Sequence, residues 1–128
     1  MVASVSELLD AAAEIQAICA SFGESLTNNQ ETFVIKIVDC TELFSKRANE
    51  MKAALERDNS QNSAMHFELR APVVAVCSFT KLMLLHQSTL GFVTDSQHEK
   101  VAHLHEAAQN LSALVDELFN NAAPRPDV

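Results

Sequence analysis

Five histidines and three cysteines are the side chains here with the most chemistry in them, and their spacing limits what they can do. Cys19, Cys40 and Cys77 are odd in number and far apart, which fits neither a disulfide framework nor the close pairs with which thiolates hold zinc. They read as buried, reduced thiols. His98 and His105 lie seven residues apart and could share a helix face. No cysteine or carboxylate cluster completes a tetrahedral site around them, so with His86 and His103 they read as part of a solvated face, and no metal is expected. The chain also lacks a Gly-rich phosphate loop, a Gly-x-Ser-x-Gly elbow and a Cys-His-Asn arrangement, and no cofactor is expected. Lys46, Arg47 and Lys52 beside Glu42, Glu50 and Glu56 read as ion pairs along a helix face.

Such side chains need elements to position them, and composition points to helices. The 128 residues are one domain's worth of chain. Two glycines and three prolines leave few turn-formers, and 48% hydrophobic residues with only 5% aromatics, no Trp and no Tyr favour Ala/Leu/Val-rich helices and exclude an all-β architecture. A net charge of -8 would repel a phosphate backbone or an anionic membrane, so nucleic acid is not an expected partner. The longest apolar run, around Leu82 to Leu85, stops at His86 and Gln87, well short of the roughly 18 residues of a membrane span. Met1 to Glu7 carry no basic stretch, so no secretory leader is expected. The expected location is cytoplasmic, without membrane insertion.

Three segments repeat apolar residues every three to four positions. The first runs Val5, Leu8, Ala12, Ile15, Cys19, Phe22, opens on a capping-box-like Ser4-Val5-Ser6-Glu7 and stops at Gly23. The second begins near Asn28 to Glu31 and keeps one heptad register, Ile37, Phe44, Met51, Asp58, Met65, Pro72, Phe79 alternating with Thr41, Ala48, Leu55, Asn62, Leu69, Val76, Met83. It could span residues 31–87, with a solvated turn or a short break in the wholly polar window 57–63. The third runs Val101, Leu104, Ala108, Leu111, Val115, Leu118, after a hairpin containing Gly91 and an N-cap at Thr94 or Asp95.

Phe67-Glu68-Leu69-Arg70-Ala71-Pro72 resembles the H-box of sensor histidine kinases, whose pattern is His-Glu-Leu-Arg-Thr-Pro before an apolar helix. The turn at Thr89-Leu90-Gly91, the polar start Thr94-Asp95-Ser96-Gln97 and the ending Leu111-Ser112-Ala113-Leu114-Val115-Asp116-Glu117-Leu118 are similar to the rest of the same dimerisation and histidine-phosphotransfer (DHp) domain, so the likeness covers about residues 60–121. It gives a reason for Pro72, which otherwise costs about 3 kcal/mol inside a helix. Two positions depart from the family. The phosphoacceptor position holds Phe67, and the position of the hydroxyl used in dephosphorylation holds Ala71. The usual autophosphorylation and phosphatase chemistry would therefore be lost, and these residues leave no room for an ATP-binding domain.

The expected fold is accordingly all-α, a DHp-like helical hairpin pairing with a second chain into a homodimeric four-helix bundle. An N-terminal helix (1–30) and a signalling-helix or coiled-coil segment (31–60) would precede the hairpin (61–121), with a flexible tail at 122–128. The expected dimer core is Met65, Leu69, Val76, Phe79, Val101, Leu104, Ala108, Leu111, Val115 and Leu118. In the heptad frame Phe67 takes the most exposed position, and with Arg70, Ala71 and Val74 it forms the expected interaction surface. The expected function is a non-catalytic, histidine-kinase-like scaffold that binds a response regulator or another histidine kinase. The enzymatic alternative is a stand-alone histidine phosphotransferase using His66 as a displaced acceptor with Glu68 as acid/base partner. One residue of displacement turns a side chain by about 100°, which moves His66 to the flank of the seam, where a boundary histidine is the simpler reading. A generic coiled-coil dimeriser is the third reading.

Overall fold

In a computed structural model the chain is described over residues 5–22, 26–58, 63–92 and 94–122. All regular elements there are helical: α1 (Val5–Ala20), α2 (Asn28–Asp58), α3 (Ser63–Leu85), the single turn α4 (Gln87–Leu90) and α5 (Asp95–Ala122). The starts of α2 and α5 are built alike. Thr27 Oγ1 accepts from the Gln30 N–H while Gln30 Oε1 accepts from the Thr27 N–H, and Thr94 and Gln97 repeat the exchange. Each box satisfies two backbone donors that a helix start would otherwise leave open. Ser4 and Gly23, read in the sequence as the start and stop of the first helix, lie outside the described residues.

Side-chain contacts fix how the helices run. Phe33 packs edge-on against Phe79 and Arg47 reaches Glu68, so residue numbers rise on α2 as they fall on α3. Arg70 meets Asp116 and Cys77 meets Ala108, which makes α3 and α5 an antiparallel hairpin. Glu14 meets His103 and Ser21 meets Lys100, which sets α1 antiparallel to α5, and Gln16 meets Thr41 on α2. The packed pairs are α1 with α2, α2 with α3, α3 with α5 and α5 with α1. These four helices form a closed ring in up-down-up-down order.

The ring changes what the long second stripe means. A helix over 31–87 would leave seams that one chain cannot cover, and two paired chains were the expected solution. Instead the chain reverses between Asp58 and Ser63 and lays α2 along α3. Residues 31–58 therefore lie in α2, one of the four packed helices of the ring. With α1, α2 fills the two places that a second chain's hairpin was expected to fill.

The heptad pattern survives this change, because facing the axis of an intrachain bundle and facing a partner chain require the same spacing. Leu8 and Ile15, Ile37, Phe44 and Met51, Leu69, Val76 and Met83, and Val101, Leu104, Ala108, Leu111, Val115 and Leu118 are all buried in one core. Phe79 is only partly buried, against Phe33, and the side chain of Met65 lies outside the described residues. Val73 and Phe92 join the core although the repeat does not include them. Thr41 is buried as a polar member; its hydroxyl donates to the Val38 carbonyl and accepts from Gln16 Nε2.

The end of the ring near the α3–α5 turn is tied by Gln30. Its Nε2 donates to the Leu90 carbonyl at 2.7 Å, linking the start of α2 to the end of α4. Gly91 follows with φ +88°, a left-handed cap that L side chains avoid, and a Cβ there would stand 3.1 Å from Gln30 Nε2. Phe92 then turns inward and packs at 5.6 Å between ring centroids against Phe22, whose ring also lies under Lys100.

Candidate functional site

α3 is the one helix with a proline inside it. Pro72 has no N–H to give to the carbonyl four residues back, that of Glu68, so this acceptor is orphaned by the sequence itself. Arg47 of α2 supplies the missing donor, its Nη1 reaching Glu68 O at 2.8 Å. The helix stays continuous across the proline, and its outer side forms a single face from Phe67 to Leu85.

At 100° per residue, Phe67 and Leu85 fall on one line, Val74 and Ser78 within about 20° of it, and Ala71 about 40° away. Phe67 is 75% exposed, Leu85 65% and Val74 48%, with Leu82 at 42% on the flank towards α2. Four of the six large hydrophobic side chains that stand exposed among the described residues are therefore on this helix; the others, Ile35 and Leu43, are on α2. The opposite flank, facing α5, carries Arg70 and Lys81. A groove of about 430 Å³ runs there between α3 and α5, lined by Arg70, Val74, Cys77, Ser78 and Lys81 on one side and His105, Gln109 and Ser112 on the other.

The polar groups of this groove are mostly engaged with one another. Arg70 Nη1 bonds Asp116 Oδ1. Cys77 Sγ donates to the Ala108 carbonyl at 3.4 Å, and burial pushes its thiol up despite the nearby Arg70 charge. Buried Thr80 gives its hydroxyl proton to Cys77 O and meets His105 Nδ1 at 3.0 Å. No thiolate nucleophile arises here, and no group of three or more potential metal ligands is found among the described residues.

The surface expected from the sequence, Phe67, Arg70, Ala71 and Val74, is brought together on one side of α3, with Phe67 and Val74 exposed and Arg70 partly covered by its bond to Asp116. His66 sits at the flank of the core. Its Nε2 is buried, 3.7 Å from Asp116 Oδ1, and is not presented outward beside Phe67. Glu68 points to the other flank, lining a smaller hollow with Arg47, Glu50 and Met51, so it does not join His66 in one site. Sequence reasoning missed Lys81, Leu82 and Leu85; continuing the helical projection from Phe67 by eleven to eighteen residues would have found Leu85 and Ser78. Asp116, on another helix, carried no such signal.

Cys19 is buried and Cys40 and Cys77 are partly buried, all unpaired. No helix among the described residues is long and apolar enough to cross a membrane. No protein-family model, no curated protein and no solved structure matches the chain.

Proposed function

We propose that this protein is a non-catalytic interaction module, a single-chain four-helix scaffold that docks a signalling protein through the outer face of α3. The observation that carries the reading is Phe67. A phenylalanine left three-quarters exposed, in line with further apolar side chains, forgoes on the order of 2 kcal/mol of burial that a docked partner would supply. Aromatic side chains of this kind are common anchors of protein interfaces.

The likeness of Phe67–Pro72 to the H-box supports a two-component protein, a response regulator or another histidine kinase, as the partner class, and a cytoplasmic setting. The missing acceptor at Phe67 and the missing hydroxyl at Ala71 support binding without phosphotransfer. The expected mode is a bundle of one chain, because the core that pairing was to close is already closed.

Phe67→Ala is expected to abolish capture of a response regulator by the purified chain while shifting the melting temperature by less than about 2 °C, since an exposed side chain contributes little to folding. A lower melting temperature with unchanged capture would overturn the proposal. Incubation with a small-molecule phosphodonor should leave the intact mass unchanged. A gain of about 80 Da that disappears in His66→Ala would instead establish the phosphotransferase reading.

A further inference from the structure

The groove between α3 and α5 is bordered by a hydrogen-bond chain that fixes the place of one proton. The Thr80 hydroxyl gives its single proton to the Cys77 carbonyl at 3.1 Å, so towards His105 it can only accept. The proton shared with His105 therefore sits on Nδ1, 3.0 Å from the hydroxyl oxygen. The neutral ring is then the tautomer with a bare lone pair at Nε2, and that atom opens on the groove. An acceptor held in place at the wall of a cavity calls for a donor to fill it.

Lys81 supplies a charge at the same level. Arg70 with Asp116 and Cys77 with Ala108 set the antiparallel register of the two helices, and four residues beyond Cys77 and three before Ala108 bring Lys81 opposite His105. Its ammonium has no hydrogen bond or ion pair among the described residues. Arg70 is taken up by Asp116 at the other end of the groove. One cation and one lone pair thus face each other, with Val74 and Cys77 as an apolar strip beside them.

We infer that the groove is a binding site for a small 2-hydroxycarboxylate. The carboxylate meets Lys81, the neighbouring hydroxyl donates to His105 Nε2, and an apolar body lies along Val74 and Cys77. The volume of about 430 Å³ is that of a small-molecule site. A phosphate monoester fits worse, because near neutral pH it is mostly a dianion with no proton to offer Nε2. An amino acid would bring its ammonium towards Lys81, where like charges repel. The site lies on the flank of α3 and does not use Phe67.

The test is a titration of the isotope-labelled full chain, followed by amide NMR shifts at about pH 7.5, where imidazoles are mostly neutral. The probes are mandelate, phenylacetate without the hydroxyl, mandelamide without the charge, and phenyl phosphate. Mandelate is expected to shift the amides around Lys81 and His105 and to bind about fivefold more tightly than phenylacetate, the range of one hydrogen bond. Lys81→Met should remove the preference for mandelate over mandelamide. His105→Asn, whose Nδ2–H can keep the bond to Thr80, should remove the preference for mandelate over phenylacetate. Lys81 is exposed, so its variant tests the site even where His105→Asn fails to fold. Mandelate that shifts no amide in the groove, mandelate and phenylacetate bound equally, a hydroxyl preference that survives in folded His105→Asn, or phenyl phosphate bound more tightly than mandelate would each overturn the inference. Phe67→Ala should leave mandelate binding unchanged, so the groove and the docking face stand or fall separately.

Discussion

Cys19 is the thiol that burial perturbs most. It faces the core from α1 among Leu8, Ile15 and their neighbours, and burial pushes its thiol from an ordinary 9.0 up to about 12. Below pH 9.0 the thiol is protonated whether the chain is folded or not, and the contribution of the buried neutral group is fully present. As pH rises from 9.0 towards 12 the unfolded chain releases the proton while the folded one holds it, so stability is lost, by at most about 1.4 kcal/mol per pH unit. Denaturant melts between pH 9 and 10.5 are expected to fall more steeply for the wild type than for Cys19→Ala, and equal slopes would refute the burial. Cys40 and Cys77 are raised as well, by burial first; Asp39 adds to the effect at Cys40 and Lys36 opposes it. The sequence read all three as buried, reduced thiols from their odd number and wide spacing; the structure buries Cys19 and leaves Cys40 and Cys77 partly buried. Which lies deepest depends on the neighbouring helices.

Among the elements, α3 shows how a defect in one helix is repaired by another. Pro72 is visible in the sequence and so is the carbonyl it orphans, that of Glu68, but the donor comes from Arg47, twenty-one residues away. Read along the chain, Arg47 is one member of a row of helix-face charges. Packed against α3, its guanidinium serves as a substitute backbone donor. Arg47→Met is expected to cost about 1 kcal/mol, the range of one hydrogen bond. In the Pro72→Ala background the alanine N–H takes over the Glu68 carbonyl, and the cost of Arg47→Met should drop towards zero. Denaturant melts of the four proteins in this double-mutant cycle measure the difference. An unchanged cost in both backgrounds would show that Arg47 acts through other contacts. The same pairing of α2 with α3 decides the reversal after Asp58, where the sequence offered either a solvated turn or a break.

For the whole molecule the closed ring leaves no open seam in the core for a second chain to fill. Four helices in up-down-up-down order bury one another's stripes, and the large exposed hydrophobics of the described residues lie only on α2 and α3. Static light scattering in moderate salt is therefore expected to return one chain of 14.0 kDa, and a mass near twice that value would show that two chains still pair. The core is shared by all four long helices, so Leu111→Ala should cost about 2–5 kcal/mol and lower the melting temperature without changing which face docks.

The sequence by itself determined that the chain is helical, that its stripes lie at Leu8–Cys19, Ile37–Met51, Leu69–Met83 and Val101–Leu118, and that Phe67 points outward. Each of these follows from the 3.6-residue period, which local spacing states directly. Only the tertiary structure decided that the stripes close on one another within one chain, that Arg47 serves Pro72, that His66 turns its Nε2 towards Asp116, and that the cations of α3 border a groove with α5. A heptad stripe specifies an apolar face and not its partner. The interruption of the stripe at Asp58 and Asn62 marked where α2 ends and α3 begins, but not that the two helices fold back on one another instead of continuing in line.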